Sequence, residues 1–234
     1  MAAALERALG SVPAVPAAEP VPALVLGPAG SGRTALLLRA ALAGGGDGPR
    51  VLFLAPSALP RLPGGGDGND RRALQRLELR YPPSLGALGR ELGAVGAWPR
   101  PPGLLLLDGL ERYLGGAPGA LARLAALLLE AARSPGPPRP PAQVLASLCL
   151  PPPGPHVLPA LRRYFPAECR LRPVPGVPLH LCARLACPGA PPRCWHLHFS
   201  PHGQLRVAPA DAGDSEGDED AHPDGDEDSD EAWG

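Results

Sequence analysis

Gly27-Pro-Ala-Gly-Ser-Gly-Arg-Thr34 places three glycines, a cation and two hydroxyls within eight residues. Glycines at 27, 30 and 32 let the backbone turn its N–H groups inward, which bulkier residues would block. An apolar run, Ala23–Leu26, leads into the turn, and Thr34–Ala43 leads out of it with helical composition. A helix beginning there aims the positive end of its dipole at the same point, so a polyphosphate is the natural guest. The spacing Gly27-x4-Gly32-x-Thr34 is that of a nucleotide-binding phosphate loop, with Arg33 where lysine is usual. Gly27, Pro28, Ala29, Gly30, Ser31, Gly32, Arg33 and Thr34 are therefore expected to hold ATP, with the Thr34 hydroxyl on Mg²⁺.

Gly103-Leu-Leu-Leu-Leu-Asp-Gly109 is the second chemical signal. Four apolar residues ending in a carboxylate describe a buried parallel strand with Asp108 at its carboxyl end, the edge where open α/β sheets bind ligands. Asp108 suits Mg²⁺ through water, opposite Thr34. Thr34 and Asp108 are thus the expected metal pair, and no catalytic residue is assigned.

These groups need a sheet and helices to position them. The sequence predicts an α/β fold, a mostly parallel sheet flanked by helices with antiparallel strands at the C-terminal edge. Val51–Ala55 and Gln143–Cys149 read as further core strands and Pro118–Arg133 as a helix. A helix is expected from Asn69 or Asp70 to about Arg80, with Arg72, Arg76 and Arg80 on one side as a solvated or phosphate-contacting stripe. Ser84 is expected to cap the next helix, to about Val95. Val157–Phe165 reads as a short helix, and Arg162, Arg163 and Tyr164 on it are the expected DNA contacts. Glu168–Arg172, Leu179–Leu185, Cys194–Phe199 and Gln204–Ala208 read as closing strands separated by Pro/Gly turns. The expected organisation is a flexible Ala/Pro-rich arm over 1–21, with one or two helical turns at Ala2–Leu9 before its Pro-Ala repeats, a core over 22–209 and a disordered acidic tail over 210–234.

All 22 basic residues are arginine. Twelve of the 23 acids lie after residue 210, leaving eleven against the 22 arginines in the body. A basic body is compatible with a nucleic-acid partner, although arginines spread over a solvated surface give the same count. Thirty glycines and 35 prolines imply long loops. Five cysteines without a C-x-x-C pair, no apolar leader and no membrane-length apolar stretch lead to the expectation of an intracellular protein with reduced thiols and no membrane contact. Cys182, Cys187, Cys194, His196 and His198 match no common zinc module, and alternation within strands explains them.

With the loop Gly27–Thr34, Leu104–Leu110, Tyr81-Pro-Pro-Ser84 and Leu161-Arg-Arg-Tyr-Phe-Pro-Ala167 in view, the chain resembles RecA-type recombinase paralogues over roughly residues 23–208. More narrowly, it is similar to the ATPase partner of the SWIM-domain protein in the animal Shu complex. The resemblance implies a RecA-like P-loop core and a nuclear factor in homologous-recombination repair of double-strand breaks. It also implies binding of ATP, Mg²⁺ and single-stranded DNA, with a SWIM-domain protein and the recombinase and its paralogues as partners. RecA-like enzymes carry a Glu after the second core strand to orient the attacking water. Leu54-Ala55-Pro56-Ser57 has none there, and Glu111 is the nearest acid after Asp108. The expectation is weak hydrolysis, and the alternative is a non-catalytic scaffold with a degenerate P-loop that stabilises its partner.

Overall fold

The computed structural model describes residues 2–11, 19–45, 48–59, 69–115, 119–133, 140–201 and 203–210. Among them, strands β1 (Ala23–Pro28), β2 (Val51–Leu54), β3 (Leu77–Arg80), β4 (Leu104–Leu107) and β5 (Gln143–Leu150) join β6 (Ala167–Pro173), β7 (His180–Ala186), β8 (Arg193–Phe199) and β9 (Leu205–Pro209). They form one sheet in the order β3-β2-β4-β5-β1-β6-β7-β8-β9. The first six strands in that order are parallel, and β7, β8 and β9 extend the sheet antiparallel, as the sequence predicts.

Val51–Leu54 and Leu104–Leu107 are buried at every position because helices cover both faces of the parallel part. Helices α1 (Ala3–Ala8) and α2 (Arg33–Leu42) close one face over Val25, Phe53, Leu106 and Leu145. After α3 (Asn69–Leu74), helices α4 (Leu85–Ala94), α5 (Ala120–Arg133) and α6 (Val157–Arg162) close the other over Leu26, Leu54, Leu105 and Leu148. The α5 stripe Leu124, Leu128, Ala131 and Ala132 follows helical spacing, as burial of one face requires. Ser84 caps α4 as expected, its hydroxyl accepting the Ala87 N–H at 3.2 Å.

The structure corrects two expectations. The helix foreseen over residues 69–80 stops at Leu74, and Leu77–Arg80 instead pairs with β2 as the outermost strand. Leu77 and Leu79 alternate onto the core while Glu78 meets Arg80 at 2.6 Å and Arg50 at 3.6 Å. Arg76 turns its guanidinium onto the carbonyls of Gly45 and Pro49. The four-residue spacing of Arg72, Arg76 and Arg80 therefore builds no stripe.

The second correction concerns the arm expected over 1–21. Residues 3–8 of it form α1, with Leu5 and Ala8 fully buried, Ala4 N–H on Gln143 Oε1 at 2.8 Å and Glu6 paired with Arg193. Apolar residues at 4, 5, 8 and 9 give this short segment a buried face, and it packs against α2. The Pro-Ala repeats at 12–18, the loop at 60–68, most of the Pro-rich loop 134–141 and the tail after 210 lie outside the described residues. Among the described residues, no helix is long and apolar enough to cross a membrane.

Candidate nucleotide site

Strand β1 lies centrally between β5 and β6, so residues 28–32 open at the carboxyl edge of the sheet. Gly30 and Gly32 take φ +76° and +74°, the left-handed region that the turn requires and side chains resist. Gly32 is constrained twice, because a Cβ there would also run into the Phe199 ring. A Cβ on Gly27 would strike the Ser31 hydroxyl. That hydroxyl is buried within the loop, and its oxygen has no hydrogen-bond partner. The first helical bond of α2 runs from Leu36 N–H to Gly32 C=O at 2.9 Å, so the preceding N–H groups stay outside the helical ladder. An orphaned hydroxyl and free amides in a cradle kept open by glycine fit a polyphosphate.

Beside the cradle, the Thr34 hydroxyl donates to Asp108 Oδ2 at 2.6 Å. Asp108 Oδ1 accepts from the Ser147 hydroxyl at 2.6 Å, and Ser147 Oγ accepts the Gly109 N–H at 2.9 Å. The register Leu107↔Ala146 sets Asp108 and Ser147 side by side, and β5 sets both next to β1. Thr34 and Asp108 thus meet as the sequence predicts, and their oxygens suit a hard cation such as Mg²⁺. Ser147 is a site residue that sequence reasoning missed. Its signal was a hydroxyl inside the apolar strand Gln143–Leu150, where a fully buried polar group demands a partner.

Arg33 folds back so that Nη1 donates to Gly27 C=O at 2.6 Å. Its charge therefore stays over the cradle, even though a guanidinium replaces the compact ammonium. Tyr113 donates to Pro82 C=O at 3.0 Å, tying the Tyr81–Ser84 segment to the turn after Asp108. Burial, reinforced by the Asp108 charge, pushes the Tyr113 phenol well above its ordinary range and keeps it neutral. Glu111 Oε2 accepts the Cys149 N–H at 3.1 Å, which commits this carboxylate to the end of β5. Beyond β2, Ala55-Pro56-Ser57 carry no carboxylate.

A cavity of about 730 Å³ flanks the loop, walled by Gly30, Gly32, Val177, Leu181 and Phe199. Its size and apolar lining suit the nucleoside end of a ligand whose phosphates lie in the cradle. Leu179, at its rim, is held at φ +60° while its carbonyl accepts the Phe199 N–H at 2.8 Å.

The structure does not bring Arg162, Arg163 and Tyr164 to this edge. Arg162 ends α6, and Arg163 and Tyr164 follow it just before β6, whose first residue pairs with Ala23 at the start of β1, so they lie at the opposite end of the sheet. Arg162 pairs with Glu168 at 2.9 Å, Arg163 is exposed and Tyr164 packs against the core. The cysteine and histidine set also divides. Cys182, Cys194, His196 and His198 share one face of the sheet, whereas Cys187 lies by the backbone of Ala2 and the Glu6 charge. No three metal-ligating side chains converge among the described residues.

No family model matches the chain. The frame is similar to the flagellar accessory protein FlaH from Methanocaldococcus jannaschii, with TM-score 0.56 and 12% identity over 88% of this chain and 95% of that one. It is also similar to a second solved structure, an ATPase domain, with TM-score 0.55 and 10% identity over 79% and 84% of the two chains. The fold is RecA-like. In sequence, the chain is 37% identical to mouse ATPase SWSAP1 over 89% of this chain and 82% of the mouse protein. It is 43% identical to human ATPase SWSAP1 over 83% of this chain and 91% of the human protein. With that identity on a RecA-like frame, the chain belongs to the SWSAP1 family of RecA-like paralogues.

Proposed function

We propose that the chain is a recombination-related ATPase that binds ATP with Mg²⁺ and hydrolyses it slowly. The observation that carries this reading is the Thr34–Asp108–Ser147 chain of hydrogen bonds at the mouth of a glycine cradle. The amides of Gly30, Gly32, Arg33 and Thr34 and the Arg33 charge would hold phosphates, and Thr34 with Asp108 would hold Mg²⁺. Mg²⁺ held there would neutralise phosphate charge. Ser147 fixes the Asp108 carboxylate, and Phe199 shields the loop from one side. Slow turnover follows from the lack of a carboxylate after β2 and from the engagement of Glu111 with Cys149.

The wider reading places the protein in the nucleus, binding single-stranded DNA in homologous-recombination repair and supporting recombinase filaments with a SWIM-domain partner. The relationship to SWSAP1 and the arginine-rich body support it. Arg162 and Arg163 remain proposed DNA contacts, on a surface separate from the nucleotide edge. One observation favours a second reading, a scaffold that stabilises its partner and uses nucleotide little: Arg33 already holds Gly27 across the loop mouth.

ATP turnover by the purified chain, with and without a single-stranded oligonucleotide and beside Thr34→Ala, tests the proposal. Slow turnover that DNA stimulates and Thr34→Ala abolishes is the expected result. Absence of turnover in the wild type, with or without DNA, would leave the scaffold.

A further inference from the structure

The cavity beside the cradle has two kinds of wall. Phe199 ends β8 with its ring against the loop, where a Cβ on Gly32 would run into the tip of the ring. The turn between β6 and β7 brings Val177 and Leu179 to the same cavity. Apart from Tyr81, these are the large apolar side chains left exposed among the described residues. Leu179 is held there against its backbone preference. A φ of +60° is costly for leucine, and the Phe199 N–H donates to the Leu179 C=O at 2.8 Å, fixing the two walls to each other. An aromatic ring and exposed aliphatic side chains that line one cavity suit a flat π system, which would stack on the ring and cover the aliphatic groups.

The edges of a base held this way meet little that tells one purine from another. Adenine and guanine differ in the amino donor or oxo acceptor that they carry, so discrimination takes a matching polar group. Among the described residues that line the cavity there is no acid and no side-chain amide. Its hydroxyls belong elsewhere: Ser31 is buried within the phosphate cradle, and Ser200 Oγ accepts the Gln204 N–H at 3.1 Å. The His180 ring meets His196 at 3.0 Å and stacks on His198 with centroids 4.0 Å apart. A pocket that grips a base by its faces and leaves its edges unread accepts isosteres. Resting on the nucleotide reading above, we propose that the slot takes purine nucleoside triphosphates as a class, GTP as readily as ATP, with Phe199 as the base-stacking residue.

Calorimetric titration of the full chain with Mg²⁺ and ATP, GTP or inorganic tripolyphosphate tests this, beside Phe199→Leu and Phe199→Tyr. Leucine keeps an apolar side chain against the core but offers no ring face, whereas tyrosine keeps the ring. Wild-type affinities for ATP and GTP should agree within about threefold. Phe199→Leu should weaken both at least about fivefold, and Phe199→Tyr should stay within about twofold of wild type. Tripolyphosphate has no base and should bind the wild type and both variants alike. A preference for ATP over GTP of about tenfold or more would overturn the proposal. So would a Phe199→Leu protein that binds ATP as tightly as wild type, or that loses tripolyphosphate as much as ATP. A wild type that binds neither ATP nor tripolyphosphate would overturn the nucleotide reading itself, and this inference with it.

Discussion

Ser147→Ala removes one oxygen and disturbs the two groups bonded to it. The Ser147 hydroxyl donates to Asp108 at 2.6 Å and accepts from Gly109 N–H at 2.9 Å, and the side chain is fully buried. Truncation deletes a hydrogen bond to a charged acceptor and leaves a backbone donor unpaired. Together these losses are expected to cost about 2–3 kcal/mol. For a chain of this size that corresponds to a melting temperature lower by roughly 5–10 °C. The variant should also release Asp108 from its orientation toward Thr34, so Mg²⁺-supported ATP binding should weaken about tenfold while Mg²⁺-free binding changes little. Ser147→Cys restores the volume without a strong hydrogen bond and should behave like Ala, which separates hydrogen bonding from cavity formation. Urea unfolding and calorimetric titration measure both effects. A Ser147→Ala protein within about 0.5 kcal/mol of wild type, with unaltered Mg²⁺ dependence, would refute the assignment of Ser147 to the site.

Arg33→Ala should weaken ATP binding about tenfold by removing a charge-assisted phosphate contact, whereas Arg33→Lys should stay within about threefold of wild type in equilibrium titrations. Leu179→Asn should raise stability by about 0.5–1 kcal/mol in urea unfolding, because asparagine tolerates the left-handed backbone that leucine resists at φ +60°. Burial raises the Glu168 pKa, but hydrogen bonds and charge from Arg162 and Arg170 more than offset this and hold it below the ordinary value. A depressed carboxylate stabilises the fold above the unfolded-state pKa, about 4.3, and that contribution is lost as pH falls through the folded value. Thermal melts between about pH 3 and 7 should therefore show a shallower acid-side decline for Glu168→Gln than for wild type.

The glycine loop and its meeting with Asp108 were legible in the sequence because their pattern is local. Gly27–Thr34 needs fixed residue types at fixed spacing, and Asp108 announces itself by ending four leucines. Ser147 was illegible because its role depends on a register between segments 39 residues apart. Strand β3 was misread because the spacing of Arg72, Arg76 and Arg80 imitates a helix. Pairing with β2 and the alternation of Leu77 and Leu79 override that local pattern. One or two helical turns at Ala2–Leu9 could be read, but not their docking, because the adjoining Pro-Ala repeats suggest a flexible arm and α2, which the helix packs against, is distant in sequence. The antiparallel order of β7–β9 could be read from their turns. The contact of Phe199 with Gly32 could not, because it joins residues far apart in sequence.

The most direct test of the nucleotide site is equilibrium binding of ATP to the wild type and to Thr34→Val, each with and without Mg²⁺. The geometry predicts that Mg²⁺ tightens wild-type binding at least about tenfold and that Thr34→Val, which cannot offer a hydroxyl oxygen, loses this enhancement. Wild-type binding that is absent, or equal with and without Mg²⁺, would contradict a cation site at Thr34 and Asp108.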